Sequence, residues 1–291
     1  MLPDGRRLHL HDGPIDVVLK AFGDPGEIEC AYRAVSARFV TVLDELCSEL
    51  TYLRQPARIN SLVPVGSVAK RMVEAVQPYC QQTFITPMAA VAGAVAEELL
   101  DTMTAAAELS KAYVNDGGDI ALHLAAGEQF VIGMVENPEH PSLFGRTVID
   151  SSTPIRGIAT SGWRGRSFSL GIADSVTVLA DRTSTADAAA TIVANAVDLP
   201  GHPAIRRVPA RDLAPDSDLG DRCVTQSVGK LTSNEIADAL AAGVGVAESL
   251  CRSNLIHAAA LTLQGETRVV GFSESLEPKQ ISTSDRRMVH A

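Results

Sequence analysis

Residues 111–124 have the sequence Lys-Ala-Tyr-Val-Asn-Asp-Gly-Gly-Asp-Ile-Ala-Leu-His-Leu, in which Asn115–Asp119 separates two runs of strand-forming residues. Consecutive glycines between such runs favour a tight hairpin turn, because glycine adopts positive φ without steric cost. Further short strands are predicted on both sides of this hairpin. They are 7–21 with a turn at Gly13-Pro14, Gln129–Val135, Arg146–Asp150, Arg156–Thr160, Ser175–Ala180, and Leu255–Leu263 paired with Thr267–Gly271.

Helical periodicity appears between these strands. Asp24 and Pro25 open a long amphipathic helix that ends near Gln55-Pro56. Thr86 as a cap and Pro87 at the first helical position begin a helix of small residues. The other predicted helices are Val68–Val76, Ala186–Val197 and Asn234–Cys251, and the predicted connections are a linker at 57–65 and a loop at 199–222.

Hairpins placed between helices, without strict βαβ alternation, predict an α+β fold with mixed, largely antiparallel sheets packed with helices. Residues 1–272 are predicted to form a single domain or two intimately packed halves. Residues 273–291 are polar and lack periodicity, which predicts a frayed tail.

Composition excludes several classes of function. The 291 residues carry a formal net charge of −10, with 25 Lys and Arg against 35 Asp and Glu. Nucleic acid and anionic membranes would repel such a chain at long range. The five cysteines lie far apart with no Cys-x-x-Cys, which favours a reducing compartment. We therefore expect a soluble cytoplasmic protein with a small-molecule ligand, and leave homo-oligomerisation open.

Common catalytic motifs are missing from the sequence: there is no Walker-type phosphate loop, dinucleotide-binding glycine fingerprint, Gly-x-Ser-x-Gly elbow or His-Glu-x-x-His pair. His9 and His11 are interpreted as pointing to opposite faces of a strand, which argues against a shared metal. Three other strings carry candidate chemistry.

The first string is Asn115–Asp119. Backbone N–H groups at Gly117 and Gly118 can converge on a phosphate or carboxylate. The alternative is a plain hairpin turn.

The second string is Gly157–Gly162, followed by Trp163-Arg164-Gly165-Arg166. Hydroxyl groups of Thr160 and Ser161 and the guanidinium groups of Arg164 and Arg166 suit a phosphate. The alternative is a strand and turn with solvated arginines. Ser161 as a nucleophile lacks an evident histidine partner.

The third string runs from Ser184 to Thr191. Asp187 and Thr191 are four residues apart and share one helix face, where their oxygens could bind Mg²⁺. The alternative is a capping arrangement of Ser184 with Asp187, with Thr191 only packing.

Together these strings resemble the ApbE-like superfamily, whose characterised members are flavin transferases. The resemblance covers most of residues 7–271 and is strongest to the branch known as uncharacterised protein family 0280. The segments that carry it are Gly13–Asp16, Met88–Ala94, Gly93 with Glu97 four residues on, Gly117–Asp119, Ala159–Gly162, Ser175–Val178 and Ala186–Thr191.

The resemblance implies a fold and a site. It implies that the Gly-Gly-Asp turn and the Thr-Ser-Gly strand, including Gly162, contact FAD or FMN. It also implies that Asp187, Thr191 and a backbone carbonyl near Ala89–Val91 hold Mg²⁺, and that a protein threonine attacks the flavin pyrophosphate. Three features depart from the transferases: Ala92 replaces a lysine, Glu97 replaces an aspartate, and Trp163–Asp174 replaces a His-x-x-x-Pro-x-Thr-Gly segment.

Three functions follow from these observations. The first is an ApbE-like, magnesium-assisted enzyme acting on a small phosphate- or carboxylate-bearing ligand related to flavin. The second is a non-catalytic ligand-binding protein on the same fold. The third is a hydrolase of a small cyclic or amide substrate, with Asp116, Asp119 or Asp187 as general base and Thr160 or Ser161 donating a hydroxyl.

Overall fold

The computed structural model describes residues 1–59, 63–135 and 143–271. Its largest element is an antiparallel sheet of eight strands in the order β1-β2-β3-β4-β7-β8-β11-β12. Two further pairs, β5 with β6 and β9 with β10, are also antiparallel. The strands are β1 Leu8–Asp12, β2 Ile15–Gly23, β3 Leu109–Asp116, β4 Asp119–Leu124, β5 Gln129–Val135, β6 Leu143–Asp150, β7 Gly157–Ser161, β8 Ser175–Ala180, β9 Ile205–Pro209, β10 Cys223–Val228, β11 Ala258–Leu263 and β12 Glu266–Val270.

Helices interrupt the strand order, and the α+β prediction is confirmed. They are α1 Pro25–Leu53, α2 Ser67–Val76, α3 Val91–Ala106, α4 Thr183–Ala196, α5 Ala210–Leu213 and α6 Ser233–Arg252. α1 begins as the sequence predicts: the Asp24 side chain accepts a hydrogen bond from the Gly26 N–H, and Pro25 occupies the first turn. Among the described residues, no helix is both long and apolar enough to cross a membrane.

The helices other than α5 pack on one face of the large sheet. Val17 and Val114 pack with α1, α2 and α3 at one end of the strand order. Val176 and Leu261 pack with α4 and α6 at the other end. A smaller cluster that includes Leu122 and Ile149 lies on the opposite face, where Phe130 and Ile132 of β5 pack against it.

The start of α3 differs from the prediction at Thr86. Residues Pro87–Ala90 form a 3₁₀ turn, and α3 begins only at Val91. The Thr86 side chain makes no cap, because its hydroxyl donates to the Asp218 carboxylate in a distant loop.

The predicted loop 199–222 is the larger error. It contains β9 and α5, and β9 pairs with β10. β9 shows no apolar alternation because Arg206 and Arg207 lie at its centre. In the structure, the Arg207 guanidinium donates hydrogen bonds to the Asp198 carboxylate and the Leu170 carbonyl. The predicted boundary at residue 272 and the tail 273–291 lie outside the described residues.

Candidate functional site: an aspartate cluster at one end of the sheet

Antiparallel register brings distant segments to one end of the large sheet. Val17 of β2 lies opposite Asp116 of β3, and Asp116 lies opposite Asp119 of β4. Ile158 pairs with Ile120, so the last residues of β7 lie beside the Gly117-Gly118 turn. The predicted Gly-Gly-Asp and Thr-Ser-Gly strings therefore meet at this end.

Asp119 is buried at the start of β4. One of its carboxylate oxygens accepts a hydrogen bond from the Thr160 N–H at 3.1 Å. Burial raises the pKa of Asp119 well above its usual value of 3.8, and the charges of Asp187 and Asp116 raise it further. The Thr160 N–H offsets only part of this effect.

Asp187 approaches the same cluster from α4. Its Oδ2 accepts a hydrogen bond from the Gly93 N–H at 2.9 Å, near the start of α3. Its residue surface is only half-buried, but its carboxyl group is surrounded by protein atoms. Burial and the charge of Asp116 therefore raise the pKa of Asp187 against the effect of the Gly93 N–H.

The close contact between α3 and α4 requires a glycine at position 93. A Cβ at Gly93 would lie 2.5 Å from the Thr183 carbonyl oxygen and 2.9 Å from the Asp187 Cβ. Only a glycine therefore lets α3 and α4 approach closely enough for the Asp187 hydrogen bond.

The predicted capping arrangement of Ser184 is wrong. α4 begins at Thr183, three residues before the predicted Ala186, so Ser184 lies inside its first turn. Arg182 is the N-cap and makes no side-chain cap bond. The N–H and hydroxyl of Ser184 both donate to Glu97 instead. Asp187 therefore plays no part in capping α4; its carboxylate instead accepts from the Gly93 N–H in the first turn of α3.

Asp116 completes the cluster from the end of β3. Burial raises its pKa from 3.8 to about 7, with a further contribution from the carboxylate of Asp16. The Asp16 N–H and the Arg166 guanidinium lower the pKa in part. A site role for Asp16 was not predicted from the sequence, although its position just after the Gly13-Pro14 turn was a signal.

The three aspartates, Asp116, Asp119 and Asp187, have no ion-pair partner among the described residues. By contrast, buried Glu97 pairs with Arg71 and Arg182. Burial alone would raise the pKa of Glu97, but both arginines and the Ser184 N–H hold it below its usual value.

The glycine turn is open on its outer side. Gly117 has φ +65° and Gly118 has φ +118°, and a Cβ at Gly118 would meet no atom within 4 Å. The Gly118 N–H is already bonded to the Asn115 side-chain oxygen at 2.9 Å. Arg166 is exposed, and its Nη1 lies 3.8 Å from the position that a Cβ at Gly117 would occupy.

Arg164 has a different environment from Arg166. Its Nε donates to Asp174 at 2.6 Å, and the Trp163 indole N–H donates to the same oxygen at 3.1 Å. The Gln264 N–H donates to the other oxygen of Asp174 at 2.6 Å. Asp174 thereby links the segment after β7 to the β11–β12 hairpin through hydrogen bonds. This role was not predicted from the sequence.

The two candidate hydroxyls occupy opposite faces of β7. The Thr160 hydroxyl lies 2.9 Å from the Thr177 hydroxyl. Thr160 lies two residues after Ile158 and Thr177 two residues before Leu179, so both share the face of the smaller cluster. Ser161 lies two residues after Ala159 and so shares the helix-covered face on which Ala159 packs. Ser161 therefore lies on the face of the sheet that carries Asp119. Gly162 follows directly, and a Cβ there would lie 2.4 Å from the Asp174 carbonyl oxygen.

Metal ligation was also predicted for Thr191, which lies one helical turn beyond Asp187 and is half-buried. Within residues 1–59, 63–135 and 143–271, no group of three or more His, Cys, Asp or Glu side chains is arranged to hold a metal ion. The interpretation of His9 and His11 is wrong, because side chains two apart on a strand share a face. Their ring centroids are 6.4 Å apart, and His9 bonds to Asp16.

The α+β fold and the motifs along this sheet end agree with a family assignment. A family model described as "AbpE bacteria" matches residues 1–269, and the chain therefore belongs to this family. The predicted resemblance to the ApbE-like superfamily is thereby confirmed.

Curated relatives carry the name UPF0280 protein. One from Methanopyrus kandleri is 38% identical over 148 residues, covering 49% of this chain and 56% of the relative. One from Methanothermobacter thermautotrophicus is 34% identical over 163 residues, covering 55% and 62%. One from Methanosarcina acetivorans is 31% identical over 186 residues, covering 63% and 70%. The chain thus spans less than two thirds of the length of the first two.

Solved structures that are similar to this chain include the flavin transferase ApbE from Vibrio cholerae. It has 13% sequence identity and a TM-score of 0.49, covering 92% of this chain and 97% of the transferase. The apo form of the Pseudomonas stutzeri flavinyl transferase ApbE has 12% identity and a TM-score of 0.47, covering 91% and 93%.

Proposed function

We propose that this protein is an ApbE-like enzyme that binds Mg²⁺ through Asp187 and Thr191, beside the aspartate cluster, together with a small phosphate-bearing ligand related to flavin. One observation carries the proposal: burial raises the pKa values of Asp116, Asp119 and Asp187, and none of the ion pairs among the described residues includes them. The charge of Asp116 adds to this effect at Asp119 and Asp187. Clustered carboxylates of this kind are stabilised either by protons or by a cation.

The chemistry of the donors fits Mg²⁺. Asp187 and Thr191 offer oxygen ligands from adjacent turns of α4, and Asp119 adds a carboxylate from β4. Magnesium prefers oxygen ligands and retains several waters, so few protein ligands are sufficient when a phosphate completes the shell. When bound, the ion would stabilise negative charge on the phosphate oxygens.

The surrounding residues would orient the ligand. Arg166 is exposed beside the Gly117-Gly118 turn, where its guanidinium can pair with a phosphate. Ser161 presents a hydroxyl on the face of the sheet that carries Asp119. A ligand with several negative charges would be repelled by the aspartates unless a cation arrived with it. We therefore expect Mg²⁺ and the phosphate-bearing ligand to bind with positive cooperativity.

Calorimetric titration of Mg²⁺, with and without ADP or FAD, tests this proposal. The wild type should bind Mg²⁺ weakly alone and more tightly with either nucleotide. Asp187→Ala should weaken this binding by about tenfold or more, equivalent to about 1.4 kcal/mol. Asp181→Asn is a matched control, because Asp181 bonds to His257 away from the cluster. Equal binding by the wild type and Asp187→Ala would refute the role of Asp187.

A non-catalytic ligand-binding protein is the second candidate, and two observations favour it. The Thr160 hydroxyl is engaged with Thr177, away from the aspartates. The segment that carries a histidine in the transferases is here a loop held by Asp174. Incubation with FAD and Mg²⁺ separates the two candidates: conversion of FAD indicates an enzyme, whereas binding without conversion indicates a binding protein.

A further inference from the structure

Glu97 lies one helical turn after Gly93 on α3 and contacts the first turn of α4. We propose that Glu97 is a positioning residue that holds α4 against α3, so that Asp187 reaches the Gly93 N–H and faces the cation site. This inference rests on the proposed function, because its consequence for ligand binding requires Asp187 to serve that site.

The bonds of Glu97 support this role. Oε2 accepts from the Ser184 N–H at 3.2 Å and from the Ser184 hydroxyl at 2.9 Å. Oε1 accepts from Arg182 at 2.8 Å and from Arg71 at 2.5 Å. A single buried carboxylate thus joins α2, α3 and the beginning of α4.

Two contacts define the relative position of α3 and α4. At Gly93, the Thr183 carbonyl lies so close that a Cβ would be 2.5 Å away, so the helices cannot approach further. Four residues later, on the same helix face, Glu97 holds Ser184 and prevents α4 from moving away. Asp187 lies one turn beyond Ser184, so a small rotation of α4 would break its 2.9 Å bond to the Gly93 N–H.

Glu98 provides a matched control on the same helix. It is also buried, and it accepts hydrogen bonds from Arg38 at 2.9 Å, Ser67 at 2.7 Å and Arg71 at 3.3 Å. Those partners belong to α1 and α2, and within the described part of the chain no side-chain bond of Glu98 reaches α4. Glu98 shares Arg71 with Glu97, so loss of its charge disturbs the same ion network. It removes no bond to α4, however, and should therefore leave Asp187 in place.

The experiment compares Glu97→Gln with Glu98→Gln in the full chain. Both variants should lower the melting temperature. Only Glu97→Gln should weaken Mg²⁺ binding in the presence of ADP, by about 10- to 100-fold, as is typical when the residue that orients a metal ligand is changed. In ¹⁵N-labelled protein without Mg²⁺, the Gly93 amide resonance should shift in Glu97→Gln and not in Glu98→Gln.

The outcomes separate this inference from the proposed function. Unchanged Mg²⁺ affinity in Glu97→Gln, or an equal loss in both variants, would overturn the positioning role. If the wild type does not bind Mg²⁺, the proposed function fails, and the Gly93 resonance alone decides whether Glu97 positions α4. If Glu97→Gln does not fold, Ser184→Ala replaces it: an unshifted Gly93 resonance in that variant would overturn the inference.

Discussion

Gly93→Ala tests the closest helix–helix contact in the structure of this site. The added Cβ would lie 2.5 Å from the Thr183 carbonyl oxygen, 2.8 Å from its carbonyl carbon and 2.9 Å from the Asp187 Cβ. Two of these atoms belong to the backbone of α4, so relief requires a movement of the whole helix. Overpacking of this kind typically destabilises by about 1–3 kcal/mol or more. The better helix propensity of alanine returns only about 1 kcal/mol.

We therefore expect a net loss of about 1 kcal/mol, from about 2 kcal/mol of overpacking less about 1 kcal/mol of helix propensity, and a fall in the melting temperature of about 2–4 °C. Gly245→Ala is the control, because Gly245 also lies in a helix and a Cβ there would meet no atom within 4 Å. This control should gain about 1 kcal/mol from helix propensity alone. Thermal unfolding of the three proteins at one pH measures both effects. A Gly93→Ala variant as stable as Gly245→Ala would show that α3 and α4 are not in this close contact.

Three further predictions concern the aspartate cluster and its surroundings. The pKa of Asp116 is raised from 3.8 to about 7, so the folded state binds more protons than the unfolded state between these values. Without metal, the contribution of Asp116 to stability should therefore fall as the pH rises, by at most about 1.4 kcal/mol per pH unit across this window, and Asp116→Asn should remove this contribution in denaturant titrations. Arg166→Gln should weaken ADP binding at saturating Mg²⁺ by about tenfold, consistent with the loss of one charge-assisted contact, whereas an equal ADP affinity would exclude a phosphate contact. Trp163 is the single tryptophan of the chain and follows Gly162 at the end of β7, so FAD binding at this sheet end should quench its fluorescence, and an unchanged emission would place the ligand elsewhere.

Most regular elements could be predicted from the sequence because their signals are local. Asp24 and Pro25 begin α1 by a side-chain cap and a pre-set φ angle, both of which act within one turn. The glycines of the β3–β4 turn supply the positive φ values that a two-residue hairpin requires. β9 escaped prediction because its central arginines obscure the alternation and are satisfied only by distant partners.

For the site, too, local signals in the sequence identified residues, whereas their environment depended on the tertiary structure. The sequence alone identified Asp116, Asp119 and Asp187 as candidate acids, since each lies at the end of a strand or in the first turns of a helix. Only the tertiary structure decided their electrostatic state, because pKa values depend on burial and on charges that are remote along the chain.

The tertiary structure also decided which partners the polar residues have. Ser184 looked like a cap for its own helix, yet it bonds to Glu97, 87 residues earlier. Asp187 bonds to the Gly93 N–H across 94 residues. Local spacing determined which residue types lie on which element, because helix and strand periods are properties of a short segment. The contacts between elements were decided by packing, because a hydrogen bond is made with whichever group the fold brings within about 3 Å.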